Sequence, residues 1–338
     1  MTSVVVIGFN RPEHTARTLD AIRAARPERL FLVADGPRAD RPGDAALCAE
    51  TRRVMDAVDW PCEVHRRYSE VNLGCEGNVE TGLDWVFSQV SEAIILEDDC
   101  VAHPTFFAYA EELLGRYRDD RRVWQIAGNS HWVPTASFHG DSYRFAAWAS
   151  VWGWATWADR WQAHRAAFPR DHRGPEGEAP RRTTPAVPRP ELLVTRGGRA
   201  HFAEAATSED VVRHGWDKQW WLTMMTEGAL AATPAVNLVQ NVGFGAGATH
   251  GVYEHDTEPA VAMPLPLRHP AAVELDVEIE RDLELLMSRA GGRTVQLVRR
   301  MVTNPQLRTV GRKVLHSKAM ANTTRFASRL TDRGAPRD

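Results

Sequence analysis

Ala93-Ile94-Ile95-Leu96-Glu97-Asp98-Asp99-Cys100 is a short apolar run that ends abruptly in three carboxylates. Ala93–Leu96, with two β-branched residues and no polar interruption, suits a strand covered on both faces, as in a parallel sheet packed between helices. The residues upstream repeat that strand in alternation with helical patterns. Ser3–Phe9 is a continuously apolar, β-branched run, and Leu30–Val33 is a second, halted by Asp35-Gly36-Pro37. Glu63–Tyr68 reads as a third. Between them, a helix opens with Asn10 as N-cap and Pro12 in its first turn and runs towards Ala25. A second spans Ala45–Val58. A third, Glu76–Val90, follows the turn Asn72-Leu73-Gly74 and sets Val79, Leu83, Val86, Phe87 and Val90 on one side. Strand–helix repeats joined by right-handed crossovers predict an α/β fold: a doubly wound, mostly parallel sheet with helices on both faces. Ligands of such sheets sit at the carboxyl ends of the strands, where Asp35 and the acidic triplet both fall.

The middle of the chain has a different texture. Nine of the twelve tryptophans lie between Trp132 and Trp221. A Pro/Arg/Gly-rich stretch, 169–198, reads as a mobile loop. Helical patterning returns over Trp216–Glu227, a strand is expected at Val236–Gln240, and Gly243, Gly245 and Gly247 lead to His250. Glu274–Arg289 reads as an acidic-faced helix. The last fifty residues, 289–338, carry twelve Lys/Arg against two acids, so the net charge of −3 conceals a body near −13 and a tail near +10. A basic amphipathic tail suits an anionic membrane surface. It also fits a solvated terminus. Its one aromatic, Phe326, gives little basis for stacking on bases, so no nucleic-acid partner is expected.

Composition closes off other classes. The 338 residues suffice for about two domains, and 43% hydrophobic with 25% charged content is ordinary for a globular chain. No apolar run reaches the roughly 18 residues of a membrane span. The N-terminal run meets Arg11-Pro12 too early for a signal peptide. Cys48, Cys62, Cys75 and Cys100 show no C-x-x-C spacing, which points to a reducing, cytoplasmic setting with peripheral membrane association through the tail. Neither a P-loop, a dinucleotide fingerprint nor a nucleophile elbow is present.

Three adjacent carboxylates at a strand end repel one another, and a hard divalent cation such as Mn²⁺ or Mg²⁺ offsets that repulsion. Such an ion keeps coordination positions open for phosphate oxygens and stabilises a diphosphate leaving group. The same triplet also fits a solvated acidic turn ahead of the helix at Pro104. Asp217 lies among Trp216, Trp220 and Trp221, whose rings would desolvate its carboxylate and suit it as a general base; it equally fits a helix N-terminus, and Glu209 and Asp210 are rival acids. Trp152, Trp154, Trp157 and Trp161 fit core packing at helical spacing. Trp152-Gly153-Trp154 also places rings around a backbone that a ligand can approach, so one or two could stack on a sugar. His250 is open to a metal or a structural role.

The ordered strings FNRP, VADG, NLGCEGN and AIILEDDCVAHPTFF resemble the GT-A-type nucleotide-diphospho-sugar glycosyltransferases, particularly family 2-like bacterial enzymes and N-acetylglucosaminyltransferase I. SVWGWATWADRW, WDKQWW and NLVQNVGFGAGATH are similar to a bacterial branch labelled sugar transferase or hemolysin-related. The resemblance covers roughly residues 4–250. It implies a nucleotide-binding half over 1–128 and an acceptor-side half over 129–270; the separate helical, basic tail expected over 271–338 lies outside it. It further implies that Asp35 reads a uracil edge and that Arg11 approaches the nucleotide or its phosphates. Glu97 and Asp98 would face ribose, sugar or metal-bound water, with Trp154 against the donor or acceptor. Asp99 would ligate the metal, with His250 as a second candidate ligand, and Asp217 would be the base of an inverting transfer. The processive Q-x-x-R-W string is absent, since Gln219-Trp220-Trp221 is a partial echo, so transfer of one sugar from a uridine diphosphate donor to a glycan, lipid or small-molecule hydroxyl is implied. A sugar nucleotidyltransferase remains as an alternative, although Gly8-Phe9-Asn10-Arg11 is poor in glycine for its phosphate loop. A non-catalytic carbohydrate-binding or membrane-associated protein is the other.

Overall fold

The computed structural model describes residues 2–168, 189–208, 215–243 and 258–287. His250, Gly245, Gly247, Glu209, Asp210, most of the 169–198 stretch and the basic tail lie outside the described residues.

The first hundred residues give β1 (Val4–Gly8), α1 (Pro12–Ala25), β2 (Arg29–Ala34), α2 (Asp44–Asp56), β3 (Glu63–Tyr68), α3 (Gly74–Phe87) and β4 (Glu92–Glu97). Then come β5 (Cys100–Ala102), α4 (Pro104–Arg116), β6 (Val123–Ala127), β7 (Tyr143–Ala146), β8 (Trp154–Trp157) and α5 (Ala158–Ala167). The remaining described elements are α6 (Arg196–Thr207), α7 (Trp216–Glu227), β9 (Leu230–Pro234), β10 (Val239–Asn241) and α8 (Val277–Met287). Among these helices none is long and apolar enough to cross a membrane. All four cysteines are free thiols.

One eight-stranded sheet runs in the order β3-β2-β1-β4-β8-β6-β9-β7. β3, β2, β1 and β4 are mutually parallel; β8 is antiparallel to both β4 and β6, and β7 is antiparallel to β9. The sheet is thus mixed but mostly parallel, and it continues without a break past residue 128. The insertion of β8 between β4 and β6 stitches the two halves together, pairing Ala93 with Thr156 and Ile126 with Ala155.

The period-2 pattern of the strands sorts side chains to the two faces. Val4, Val6, Leu30, Leu32, Ile94 and Leu96 join one apolar layer, with Leu19 and Ile22 of α1 and Met55 of α2. Val5, Ile7, Phe31, Val33, Ala93 and Ile95 join the other, with Leu83 and Val86 of α3. Each buried aliphatic side chain contributes about 1.5–3 kcal/mol through its removal from water. Helix α7 is apolar nearly all round: Trp216, Trp220 and Met224 enter one layer, Trp221, Leu222 and Met225 the other. A helix of that composition belongs inside the molecule, and only its two tips, Asp217 and Glu227, are exposed.

Several boundaries depart from expectation. Arg11, not Asn10, occupies the N-cap of α1, because Asn10 instead donates its side-chain amide to Asp44 Oδ1 (3.0 Å). The strand expected at Val236–Gln240 starts only at Val239, as β10, and β9 ends before the expected span at Pro234. The loop expected to run to Gly198 ends earlier, since Pro190–Leu192 forms a 3-10 turn and α6 begins at Arg196. Helix α8 does not turn its acids to solvent. Glu280, Asp282 and Glu284 are all buried, because backbone amides of two loops need acceptors: Glu280 Oε2 accepts from Ala147 N–H (2.7 Å) and Trp148 N–H (3.1 Å), and Glu284 from Val194 and Thr195 N–H (2.9 and 2.5 Å).

Candidate active site

The carboxyl ends of β1, β2 and β4 lie side by side, so the residues just beyond them meet. Asp98 is buried and its Oδ2 accepts from Phe9 N–H at 3.2 Å. Arg11, held at the start of α1, donates to Asp99 Oδ2 at 2.9 Å and stands 3.9 Å from Asp98 Oδ1. The short antiparallel pair β5–β10 then brings a distant segment over the triplet. Asn241 Nδ2 donates to Asp99 Oδ1 at 3.2 Å, and Val242 N–H to the Asp99 carbonyl at 2.8 Å. At Gly243 a Cβ would come within 2.0 Å of Asp99 Oδ2, so a larger residue there would displace the Asp99 side chain. Neither β5 nor Asn241 carried a sequence signal, because a three-residue strand paired across some 140 positions leaves no local pattern.

Electrostatics mark this corner as anion-rich. Glu97 is partly open to water, yet the protein around its carboxyl pushes it well above the usual carboxylate range, followed by the charges of Asp99, Asp98 and Asp217, with Arg11 opposing. Burial, then Asp99, likewise raises Asp98, against Arg11 and the Phe9 amide. Asp217 is therefore close enough for its charge to be felt at Glu97. Cys75 is exposed at the same place; enclosure by the cleft walls, then Glu97, Glu76 and Asp217, pushes its thiol up. Sequence reasoning passed over Cys75, which has no motif.

Other expected site residues sit differently. Asp35 is buried, and its carboxylate is occupied by the protein: Oδ1 accepts from Gly36 N–H (2.8 Å) and Leu73 N–H (2.7 Å), Oδ2 from Asn72 Nδ2 (2.8 Å). Burial raises it, while those amides and Arg52 pull it back. It fastens the 72–74 turn beside the site. Trp154 is wholly buried on β8 between Trp216 and Trp220, with ring centroids 6.2 and 5.2 Å away. The ligand-stacking role expected for it is corrected to core packing, because Trp161, Trp216 and Trp220 pack with it in the apolar layer on that face of β8. Asp217 is exposed, so the expected desolvation by Trp216, Trp220 and Trp221 is corrected too: Trp216 and Trp220 enter one apolar layer and Trp221 the other.

Asp217 instead opens on a cavity of about 200 Å³ shared with His131, Trp148, Trp152, His201 and Trp221. Among the described residues no three His, Cys, Asp or Glu side chains form a closed metal cage. A Mg²⁺ or Mn²⁺ ion that completes its shell with phosphate oxygens and water needs only one or two carboxylates, and the surplus of acids over Arg11 among the described residues at this corner fits that donor set.

No family model and no curated protein matches the chain. Solved structures that are similar in part include the following three. Mouse xyloside xylosyltransferase 1 in its apo form is 10% identical, covering 66% of this chain and 81% of that one, with a TM-score of 0.33. The galactosyltransferase LgtC in complex with donor and acceptor sugar analogs is also 10% identical, covering 68% and 72%, at 0.32. The 4-diphosphocytidyl-2C-methyl-D-erythritol synthase of Anaerococcus prevotii is 11% identical, covering 49% and 77%, at 0.30. Likenesses of this strength carry no argument about what the chain does.

Proposed function

We propose that the chain is a metal-dependent, inverting glycosyltransferase that moves one sugar from a uridine diphosphate donor to an acceptor hydroxyl. The observation that carries this reading is the convergence of Glu97, Asp98, Asp99 and Arg11 at the strand ends, with Asp217 within electrostatic reach and facing a separate cavity. Anionic crowding at a strand edge suits a divalent cation and a diphosphate; a carboxylate across a gap suits an acceptor proton.

Asp99, with Asp98 beside it, would hold Mn²⁺ or Mg²⁺. When bound, the ion supplies Lewis-acid stabilisation of the departing diphosphate. Arg11 lies where its guanidinium can pass from Asp99 to a phosphate oxygen, adding charge stabilisation where negative charge develops. Asp35 holds the 72–74 turn beside the strand ends. Asp217, exposed at the tip of α7, takes the proton of the acceptor hydroxyl as that oxygen bonds the anomeric carbon; the bond from that carbon to the diphosphate oxygen breaks, and the nucleotide diphosphate leaves with the electron pair. The rigid α7 fixes the attacking group relative to the sheet. The basic tail, outside the described residues, would hold the enzyme near anionic lipid.

The test is turnover of UDP-sugars with Mn²⁺, with chelator, and in Asp99→Ala. Activity is expected to fall by roughly a hundredfold or more in the variant and in chelator, the scale of several kcal/mol of charge stabilisation. Thermal unfolding should show no loss, since removing Asp99 relieves repulsion on Glu97 and Asp98. Undiminished turnover in either arm would defeat the metal role.

A further inference from the structure

The cavity beside Asp217 is built from strained and carefully braced backbone. His131 and Trp132 are consecutive non-glycine residues at φ 48° and 65°, in the left-handed region that costs such residues about 1–3 kcal/mol each. Their surroundings enforce it. Asn129 Oδ1 accepts from His131 N–H (2.7 Å) while its Nδ2 donates to the Val239 carbonyl (3.2 Å). Glu258 Oε2 accepts from Ser130 Oγ (3.1 Å) and Trp132 N–H (3.2 Å). The facing wall is pinned as well: Glu280 accepts from Ala147 and Trp148, Gln125 Nε2 donates to the Ser150 carbonyl, and Gly153 at φ 68° turns the chain into β8.

Three polar atoms in these walls, His131 Nε2, Ser150 Oγ and Trp221 Nε1, have no partner among the described residues, on residues only 7%, 5% and 4% exposed. An orphaned buried polar atom costs about 1–3 kcal/mol, and in a native fold it calls for an explanation such as a bound molecule. Burial keeps His131 neutral, pushed down to about 4. Around them stand half-buried aromatic rings. Trp152 tilts beside His131 with centroids 5.2 Å apart, and Trp148 stacks on His201 at 5.6 Å and 24°. Asp217 and Lys218 also line the cavity, and their charges are opposite. At about 200 Å³, it is smaller than the roughly 300–1,000 Å³ of pockets for drug-sized ligands, so it suits one ring. Aromatic faces with uncharged hydrogen-bonding atoms at their edges recognise a ring that has apolar C–H faces and a hydroxylated rim.

We propose that this cavity binds a neutral pyranoside, with Trp152 against the C–H face of the ring and with His131 Nε2 and Ser150 Oγ hydrogen-bonded to its hydroxyls, leaving one hydroxyl towards Asp217. The ring is the acceptor only if the glycosyltransferase reading holds; its binding here stands apart from that reading.

The experiment titrates the full chain, without donor or metal, with methyl β-D-glucopyranoside, methyl β-D-galactopyranoside and methyl α-D-mannopyranoside. Binding is followed by saturation-transfer NMR and tryptophan fluorescence, and the glucuronic acid counterpart serves as a charged control. At least one neutral glycoside is expected to bind, and the uronate more weakly. Ser150→Ala should weaken that binding about tenfold, the loss of one hydrogen bond. His131→Asn, which tolerates the left-handed backbone, should do the same with an unchanged melting temperature, and Trp152→Ala should abolish the signal. Binding of none of the three glycosides, or binding indifferent to both polar substitutions, would overturn the proposal. UDP-sugar turnover in parallel separates the two readings: turnover without glycoside binding sinks this cavity assignment alone, whereas glycoside binding without turnover sinks the enzyme and leaves the cavity a saccharide site.

Discussion

The region before residue 103 and the region after 123 solve the problem of making a site in opposite ways. In the first, a regular strand–helix alternation delivers charged groups to one sheet edge, and the chemistry lies in crowding: Glu97, Asp98 and Asp99 share one arginine. In the second, irregular loops between short strands hold neutral polar atoms among indole rings, and the chemistry lies in what those atoms lack. Charge placed by repetition needs little bracing. A cavity lined by left-handed residues needs Asn129, Glu258, Gln125 and Glu280 to hold it. The two regions meet at Asp217.

That meeting point gives the largest expected effect. Asp217→Asn should lower turnover by roughly 10²–10⁴-fold, the usual worth of a positioned proton acceptor, with donor affinity unchanged by calorimetry. A matching loss of donor affinity would place Asp217 on the charged side of the comparison instead. Trp154→Ala should then separate core from cavity in the tryptophan-rich region. It should cost about 3–5 kcal/mol of stability in urea unfolding, the scale for emptying a buried indole site, while glycoside binding per folded molecule persists. A selective loss of ligand binding at full stability would return Trp154 to the site.

The smallest effect concerns pH. Burial first, then Glu284, raises the Glu280 carboxyl to about 8, above its ordinary 4.5. The native state therefore keeps a proton that the unfolded chain releases. The stability so gained is fully present below pH 4.5 and is lost as pH climbs through about 8. Wild-type protein should weaken over that window, and Glu280→Gln should flatten the slope. Unfolding midpoints at the two ends of the window decide it, and an equal slope in both proteins would deny Glu280 its part in bracing Trp148.

The same contrast explains what could be read from residues alone. Strands β1, β2 and β4 announce themselves because side chains on both faces are apolar and turns follow at once; Glu63–Tyr68 and Trp216–Glu227 carry the bounds that their patterns imply. The acidic triplet was visible for a physical reason, since like charges are not massed at a strand end without a counterpart. β8 was not, because four residues whose partners lie some sixty positions upstream in β4 and nearly thirty upstream in β6 have only long-range causes. Trp154 misled because an indole beside a glycine reads the same whether strand pairing turns it inward or outward. His131, Ser150 and Cys75 gave no signal at all: the first owes its place to a backbone conformation, the others to neighbours distant in sequence. The expectations for His250, for Glu209 and Asp210 and for the basic tail fall on residues that the structure does not describe.

Helix α7 runs through the interior like an axle, gripped by indoles on every side, with one carboxylate at its protruding end. To shift that end by even an ångström, both apolar layers would have to repack. A lineage of such proteins could thus exchange what it recognises by rewriting residues 129–132 and 148–152 while the axle stays still, so diversity is expected to gather in the bearings rather than the shaft.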